Sequence, residues 1–355
     1  MLSNIDKIKY ALSERGFIAL LIIDPVNRFF ATGFQSSAGA MLVTQNDAWF
    51  FTDSRYMEAA INTVKGASVH EVTYESPYAE QIKNILAELG ITSVAIEEKT
   101  ITYSAYRDWK KKLKVKLVPA ETLISDLRIK KSALDLEKIK KAQSIAEKSF
   151  NETLPRISTD MTEKDLAAEL LYRFLKNGAD DKAFDTIVLS GAKTSMPHGQ
   201  PGAVKIGKGF LTIDFGVRLD GWCSDTTRTL CIGKPDEEMI RVYETVLKAQ
   251  EAGIKKTRAG VTGRAVDARA RAVIEKAGYG DYFGHGFGHG VGLEVHEAPN
   301  ASKSSKEVLQ AGAVISAEPG IYLPGRYGVR IEDVLYVTES GCENITYLTK
   351  ELIVL

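Results

Sequence analysis

The chain has 355 residues, of which 44% are hydrophobic and 26% charged, a composition typical of a globular protein with a sizeable core. Lys plus Arg and Asp plus Glu each number 46, so the zero net charge favours neither nucleic acid nor an anionic membrane as a partner. There is no close cysteine pair, no apolar stretch long enough to span a membrane and no secretory signal pattern, which together predict a reducing, cytoplasmic location.

The first 126 residues alternate between helical and strand-like patterns. Apolar spacing and turn-prone breaks define each element and predict a small α/β domain over residues 1–126. The predicted helices cover residues 5–15, 55–67, 78–89 and 103–113, and the predicted strands cover residues 17–23, 40–43, 48–52 and 94–96.

A charged segment over residues 128–141 follows, and its apolar positions have helical spacing. We interpret it as the solvated face of a long helix that opens a second domain, residues 127–355. Helices set around a block of strands indicate the α+β class for this domain. Its predicted helices cover residues 164–177, 239–255 and 263–276, and its strands cover residues 210–217, 222–232, 313–318 and 329–338.

Two aspartates lie on a predicted hairpin. Asp220-Gly221 is a strong signal for a two-residue turn. With that turn, Asp214 lies opposite Thr227, and Asp225 lies diagonally from Asp214 on the same face. Two carboxylates this close repel each other unless a cation lies between them. The pair is therefore a candidate metal site, the alternative being two exposed aspartates at a hairpin end.

Three of the five histidines, His285, His289 and His296, cluster in or beside a glycine-rich segment, residues 284–292. The glycines allow close backbone packing against a site and disfavour a regular helix. A single-zinc protease helix that began at His296 would need a second histidine at the position of Asn300, so that type of site is excluded. The clustering favours a functional site over three structural histidines.

Two glutamates complete the set. Glu318 ends an apolar strand, where its carboxylate can point into a cleft. Arg330 and Glu332 share one face of a predicted strand by alternation, although a surface ion pair is the alternative. Two Asp, one His and two Glu form an oxygen-rich set that suits two divalent cations better than one. The sequence therefore predicts a two-metal hydrolase.

A further histidine, His198, lies in a turn-rich loop over residues 190–199. A loop histidine can carry a proton or donate a hydrogen bond to an oxyanion. We therefore include it among the candidate catalytic residues.

The sequence resembles a known family at these positions. The order Asp, Asp, His, Glu, Glu is similar to that of the pita-bread dinuclear metallopeptidases, which include methionine aminopeptidase, aminopeptidase P and Xaa-Pro dipeptidase (prolidase). The resemblance is specific over residues 127–355 and weaker over the first domain, which methionine aminopeptidases generally lack. It implies a C-terminal pita-bread (creatinase/aminopeptidase-like) domain and a creatinase-like N-terminal domain. The motifs closest to the Xaa-Pro peptidase branch are residues 213–216, 224–229, 288–297, 318–322 and 329–333.

The resemblance implies a metal-binding role for five residues. Asp214 would be a carboxylate ligand, and Asp225 and Glu332 would bridge two metal ions. His289 and Glu318 would complete the shell of one metal. Glu318 would also be the general base that takes a proton from the attacking water.

Other residues would contact the substrate or support the ligands. His198 and His296 resemble the pair that holds the scissile carbonyl, and His285 resembles a pocket histidine. Arg330 would orient Glu332 or a neighbouring carboxylate, and Tyr322 would line the site. One departure is Phe287, where relatives often have a smaller or polar residue, which leaves the preference of the pocket open.

The implied reaction is hydrolysis of the bond between an N-terminal residue and proline by a metal-bridging hydroxide. We favour aminopeptidase P, because the short two-domain form and residues 282–285 resemble bacterial members, and prolidase is the alternative. A third interpretation is that the chain is a creatinase-like homologue without peptidase activity. Such relatives should show substitutions among the five ligands, and this chain shows none.

The oxygen-rich ligands favour two Mn²⁺ ions, with Co²⁺ or Zn²⁺ as alternatives. The expected partners are peptides with proline at position two, and neither nucleic acid nor a membrane. The resemblance also implies a homodimer in which the first domain borders the active site of the partner. Arg55 would contribute to substrate binding there.

Overall fold

The structure is a computed structural model that describes residues 2–355. The chain divides into two compact units, Met1–Arg128 and Ile129–Leu355, where the sequence predicts a boundary after residue 126. Among the described residues no helix is both long and apolar enough to cross a membrane.

The first unit contains one six-stranded sheet with strand order β4-β3-β2-β1-β5-β6. Its core packs apolar residues of α4 and α5 against the sheet, as an α/β domain requires. The helices are α1 (Asn4–Glu14), α2 (Pro25–Thr32), α3 (Met57–Thr63), α4 (Tyr78–Glu88), α5 (Tyr103–Leu113) and α6 (Leu123–Ile129). The strands are β1 (Ala19–Ile22), β2 (Ala40–Thr44), β3 (Ala48–Asp53), β4 (Ser68–Val72), β5 (Ser93–Ile96) and β6 (Lys116–Pro119).

Helix α2 begins at Asp24-Pro25 and is absent from the sequence prediction, in which a strand over residues 17–23 ends just before this pair. In the structure the same pair begins a helix. The Asp24 carboxylate accepts hydrogen bonds from the backbone N–H groups of Val26 and Asn27, and Pro25 occupies the first turn. A proline there costs no hydrogen bond, because first-turn N–H groups have no partner within the helix.

The second unit combines four helices with four small sheets, ordered β11-β10-β7, β12-β9-β8, β14-β13-β15-β18-β19 and β16-β17. The helices are α7 (Ala133–Thr153), α8 (Glu163–Lys176), α9 (Glu237–Lys256) and α10 (Gly263–Lys276). The strands are β7 (Asp181–Lys182), β8 (Ile187–Ser190), β9 (Gly209–Phe215), β10 (Val217–Leu219), β11 (Trp222–Cys223), β12 (Thr226–Ile232), β13 (Gly288–Gly290), β14 (Glu297–Ala301), β15 (Val314–Ala317), β16 (Gly320–Leu323), β17 (Tyr327–Arg330), β18 (Asp333–Val337) and β19 (Cys342–Asn344).

The charged segment forms the long helix α7, as its apolar spacing predicts. Ser132 and Asp135 form a capping box at its start, and the residues buried along it include Leu136, Ile139 and Ala142. Helices α7 and α8 pack on one apolar cluster with strands β8, β9 and β12. Helices α9 and α10 pack on a second cluster with β15, β17 and β18. The strands that carry the candidate site therefore lie against helices in two separate cores.

The predicted hairpin is present with the predicted register. Leu219 pairs with Trp222 across a two-residue turn, and Asp214 pairs with Thr227. Each of the two predicted strands is nevertheless interrupted close to the turn, the first at Gly216 and the second at Ser224 and Asp225, so that Asp225 lies between β11 and β12. The two strands approach each other closely at this break, because a Cβ atom at Gly216 would lie 2.1 Å from the backbone oxygen of Ser224.

The prediction of one strand over residues 329–338 is wrong. Strand β17 ends at Arg330 and pairs with β16, whereas β18 begins at Asp333 and pairs with β15 and β19. Glu332 lies where the chain leaves one sheet and enters another. Alternation of side chains is the same in one strand as in two consecutive strands, so the pattern could not reveal the crossing.

Candidate active site

A cavity of about 460 Å³ in the second unit brings most of the predicted residues together. Carboxylates and histidines form much of its wall, and apolar side chains form the rest. The predicted residues that line it are Asp214, Asp225, His198, His285, His289, His296, Glu318, Arg330 and Glu332. The sequence analysis did not identify the remaining side chains on the wall, which are Phe184, Ile187, Pro197, Val295, Asn300 and Ser302.

The ligand-type atoms converge from strand ends that are far apart in sequence. The ligand atoms of Asp225, His289 and Glu332 all lie within 4.8 Å of one another. His289 Nε2 is 3.1 Å from Glu318 Oε1 and 3.7 Å from Asp225 Oδ2. Four of the five predicted ligands are thus within direct reach of one small volume.

His289 is oriented by its backbone surroundings. Its Nδ1 donates a hydrogen bond to the carbonyl oxygen of Gly290 over 3.2 Å, which leaves Nε2 directed at the carboxylates. Strand β13 approaches its neighbours so closely that side chains are excluded beside His289. A Cβ at Gly288 would lie 2.1 Å from the oxygen of Ser316, and one at Gly290 would lie 2.3 Å from the oxygen of Ala298.

A polar network supports the fifth ligand-type residue, Asp214. Arg330 Nη2 donates to Asp214 Oδ2 over 2.8 Å, and Arg330 Nε donates to Thr227 Oγ1 over 3.0 Å. The Thr227 hydroxyl in turn donates to Glu332 Oε2 over 2.7 Å. The sequence analysis assigned no role to Thr227, although its register opposite Asp214 was the signal that could have identified it.

The electrostatics of the cluster show a shortage of positive charge. Burial raises the pKa of Asp225 and of Glu332 well above the usual range, and neighbouring carboxylates raise both further. Burial likewise raises the pKa of Asp214, against the influence of Arg330. Burial alone would raise the pKa of Glu318 as well, but its hydrogen bond with His289 and the charge of that ring lower it.

The donor set fits divalent cations. Asp214 Oδ1 is buried and has no hydrogen-bond partner in the structure, although a buried carboxylate oxygen is normally paired. A cation would pair this oxygen and favour the charged forms of the carboxylates whose pKa values burial raises. Oxygen atoms with one imidazole nitrogen are ligands that suit such an ion.

His285, Tyr322 and Arg330 form a chain beside the ligands. His285 Nδ1 donates to the carbonyl oxygen of Gly286 over 2.9 Å, so Nε2 accepts from the Tyr322 hydroxyl over 2.8 Å. That hydroxyl accepts from Arg330 Nη1 over 2.9 Å. Burial lowers the pKa of His285, which favours its neutral form. Tyr322 was expected to line the substrate site, but it lies buried behind His285 and Arg330.

The other two histidines are more open. The ring centroids of His289 and His296 are 4.2 Å apart, and burial lowers the pKa of His296. His198 lies on the exposed side of the cavity, in the loop after β8. Both imidazoles therefore line the cavity that the ligand-type residues also line.

Two residues from the sequence analysis lie elsewhere. Arg55 belongs to the first unit, where it forms an ion pair of 2.8 Å with Asp53, and its role in substrate binding stays a prediction. Phe287 is fully buried and packs against Gly253 of α9, where a Cβ would lie 2.2 Å from the Phe287 ring. Phe287 therefore fills the core and is not part of the cavity wall.

Known proteins resemble the chain over nearly its whole length. The Xaa-Pro dipeptidase of Pyrococcus furiosus is 36% identical, over 99% of this chain and 100% of that protein. A solved Xaa-Pro dipeptidase from Bacillus anthracis is 38% identical with a TM-score of 0.96, covering 99% of each chain. An X-Pro aminopeptidase structure from Thermotoga maritima is 37% identical with a TM-score of 0.90, covering 97% of this chain and 99% of that one.

Family models match both units. The model of the creatinase/prolidase N-terminal domain matches residues 4–130, and that of metallopeptidase family M24 matches residues 137–339. The second match contains all five ligand-type residues and the histidines of the cavity. The pita-bread architecture expected from the sequence is confirmed by these matches and by the structural neighbours. The chain thus belongs to metallopeptidase family M24, as a metal-dependent hydrolase with a creatinase/prolidase N-terminal domain.

Proposed function

We propose that the chain is an Xaa-Pro peptidase whose preferred substrates are Xaa-Pro dipeptides. The observation that carries the proposal is the convergence of five ligand-type residues and three histidines on one cavity. The sequence analysis favoured aminopeptidase P, but among the relatives described above the name Xaa-Pro dipeptidase occurs at least as often as aminopeptidase. We therefore prefer prolidase activity, which was the alternative in the sequence analysis, as the proposed function.

Two divalent cations would be held by the five ligand-type residues, Asp214, Asp225, His289, Glu318 and Glu332. Of these, Asp225 and Glu332 would be shared by both cations. The oxygen-rich character of these five ligands favours Mn²⁺, and Co²⁺ or Zn²⁺ are alternatives. Bound cations would polarise the peptide carbonyl and lower the pKa of a water molecule beside it.

The protein itself would supply proton transfer and orientation. Glu318 would accept the proton of the attacking water and deliver it to the proline nitrogen, which leaves as an amine. Its Oε1 accepts a hydrogen bond from Ser316 Oγ over 3.1 Å, which fixes the carboxylate next to His289. His198 and His296 would donate hydrogen bonds to the carbonyl oxygen as its negative charge develops.

The cavity wall also suits a proline side chain. Phe184, Ile187, Pro197 and Val295 give it an apolar portion, and Ile187 is the cross-strand neighbour of Asp214. An apolar wall with a few convergent polar groups is typical of small-molecule sites. A pyrrolidine ring has no N–H to satisfy, so it can lie against such a wall without leaving a polar group unpaired.

A second candidate function is removal of the first residue from longer peptides. Asn300 and Ser302 line both the main cavity and an adjacent cavity of about 620 Å³. The other residues around that adjacent cavity are Ser304, Ser305, Lys306 and Glu307. The residues of a longer peptide beyond proline would extend past Asn300 and Ser302 into this adjacent cavity.

Substrate profiling with added Mn²⁺ tests the proposal. Purified protein should hydrolyse Xaa-Pro dipeptides and leave matched Xaa-Ala dipeptides intact. Faster cleavage of Xaa-Pro-Xaa tripeptides than of dipeptides would establish the second candidate instead. Metal-loaded protein that cleaves no Xaa-Pro bond would refute both and favour a creatinase-like activity. The homodimer and the cytoplasmic location stay predictions from the sequence.

A further inference from the structure

Glu163 is a fully buried carboxylate at the first residue of helix α8, and it lies outside the metal-ligand cluster. Its Oε1 accepts the backbone N–H of Ser190 over 2.9 Å, and its Oε2 accepts that of Gly202 over 2.8 Å. Lys193 Nζ forms an ion pair with the same Oε2. A buried charge is retained only where such partners satisfy it, so these contacts define a specific structural role.

The two backbone groups are the two ends of the loop that carries His198. One carboxylate thus ties Ser190 at the end of β8 to Gly202, across the intervening chain. Lys193 adds a bond within the loop, because its Nζ also donates to the carbonyl oxygen of Gln200 over 2.7 Å. The Glu163–Lys193 pair therefore closes the loop at its base.

The far side of the loop is attached to the hairpin that carries Arg330. Gly328 N donates to Thr194 Oγ1 over 2.9 Å, and Arg330 Nη1 donates to the carbonyl oxygen of Pro197 over 3.3 Å. A Cβ at Gly328 would lie 2.4 Å from the oxygen of Thr194, so loop and hairpin are in tight contact.

His198 depends on this framework for its position. Over the part of the chain that the structure describes, no hydrogen bond holds the His198 ring, and the residue is exposed. Its imidazole can therefore reach a substrate carbonyl reproducibly only if the backbone on both sides is fixed.

We propose that Glu163, together with Lys193, is a positioning residue for His198 in peptide hydrolysis. The inference rests on the proposed function, because it assumes that His198 contacts the scissile carbonyl. A carboxylate is required because donors approach both of its oxygens. In Glu163→Gln an amide NH₂ would face a donor whichever way it pointed, so one end of the loop would lose its partner.

A double-mutant cycle with His198→Ala tests the proposal. His198→Ala should lower kcat by roughly 10²- to 10³-fold, as loss of an oxyanion donor does. Glu163→Gln alone should lower kcat by about 10- to 100-fold with a small change in KM, because the donor is displaced while the cavity remains. In the His198→Ala background, Glu163→Gln should cause no further loss. If the loss of kcat in the double variant equals the product of the losses in the two single variants, the proposal is overturned.

Two controls separate positioning from general damage. Glu169→Gln removes another carboxylate of α8, one that pairs with the partly buried Arg173 and, within the described chain, forms no hydrogen bond or ion pair with the loop, and it should leave kcat unchanged. Lys193→Met removes the ion pair but keeps both backbone bonds of Glu163, so its loss should be smaller and should also vanish without His198. If Glu163→Gln fails to fold, the Lys193→Met cycle decides the question by the same criterion.

A measurement without substrate distinguishes this inference from the proposed function. Amide hydrogen exchange in Glu163→Gln should accelerate over residues 191–201, while the thermal shift on Mn²⁺ addition stays as in the wild type. Unchanged exchange would refute the positioning role even in an active peptidase. A wild-type protein inactive on Xaa-Pro peptides, with accelerated exchange in the variant, would refute the proposed function and leave the loop attachment established.

Discussion

The Thr227 hydroxyl donates a hydrogen bond to Glu332 Oε2 over 2.7 Å and accepts one from Arg330 Nε over 3.0 Å. All three side chains are buried, and Arg330 also holds Asp214. One threonine therefore fixes the geometry of two predicted ligands that lie 118 positions apart in sequence, at residues 214 and 332. Supporting hydrogen bonds of this kind set the orientation, and with it the metal affinity, of carboxylate ligands.

Thr227→Val should weaken Mn²⁺ binding by roughly 10- to 100-fold, because valine keeps the shape of threonine but leaves Glu332 and Arg330 without their partner. Calorimetric titration of metal-free protein with Mn²⁺ measures this directly. Thr227→Ser is the matched control, since it keeps the hydroxyl and should bind Mn²⁺ nearly as tightly as the wild type. Equal affinities for the valine and serine variants would contradict the expectation.

Removal of the metal should abolish hydrolysis and lower the melting temperature. Treatment with a chelator should eliminate activity, and added Mn²⁺ should restore both activity and melting temperature. Metal at about 100 times its dissociation constant adds about 2.7 kcal/mol to the free energy of unfolding. Hydrolysis that persists after complete chelation would show that the reaction does not depend on a metal at the carboxylate cluster.

Asp225→Asn should separate stability from function. The substitution removes one of the mutually repelling buried carboxylates, so metal-free Asp225→Asn should have a higher melting temperature than metal-free wild type. It should nevertheless be inactive and should not be stabilised by Mn²⁺. A metal-free variant less stable than the metal-free wild type would argue against repulsion within the cluster.

The glycines beside His289 provide a packing test. Gly288→Ala would place a Cβ 2.1 Å from the backbone oxygen of Ser316, so β13 must shift and carry His289 with it. We expect a loss of about 1–3 kcal/mol in the free energy of unfolding, as overpacking commonly causes, together with weaker metal binding. Gly284→Ala is the matched control, because no atom lies within 4 Å of its added Cβ. Thermal melts and Mn²⁺ titration of both variants measure the difference.

The sequence could reveal those parts of the site that depend on local rules. The Asp220-Gly221 turn determines the register that brings Asp214 opposite Thr227, and both central residues have the positive φ angles that such a turn requires. The strand-end position of Glu318 and the glycine segment around His289 are also local signals. Each of these features was predicted and is present in the structure.

The parts that were missed depend on contacts between distant segments. The chain changes sheets at Ile331 and Glu332 because β17 and β18 have different partners, and side-chain alternation carries no information about partners. Glu163, whose carboxylate is buried, immediately precedes the helix predicted over residues 164–177, where an acidic residue normally indicates only a favourable interaction with the helix dipole. Its contacts with Ser190 and Gly202 exist only once the loop has folded over α8.

Glu97 in the first unit should make stability depend on pH. Burial raises the pKa of Glu97 from 4.5 to about 7, although hydrogen bonds from the backbone of Asp24 and Ile23 and from Asn27 oppose the shift. Between those pH values the folded chain holds a proton that the unfolded chain has lost. The contribution of Glu97 to the free energy of unfolding should therefore be highest below pH 4.5, fall as the pH rises to 7 and level off above it, by a total of about 3 kcal/mol.

Glu97→Gln should remove this slope, because an amide does not titrate. Melting curves of wild type and Glu97→Gln from pH 4.5 to 8 at constant ionic strength give the difference between their free energies of unfolding at each pH. The contributions of other titrating groups cancel in this difference. The exposed neighbour Glu98 provides the control, since Glu98→Gln should leave the slope unchanged. A difference between wild type and Glu97→Gln that stays constant with pH would show that Glu97 holds no extra proton in the folded chain.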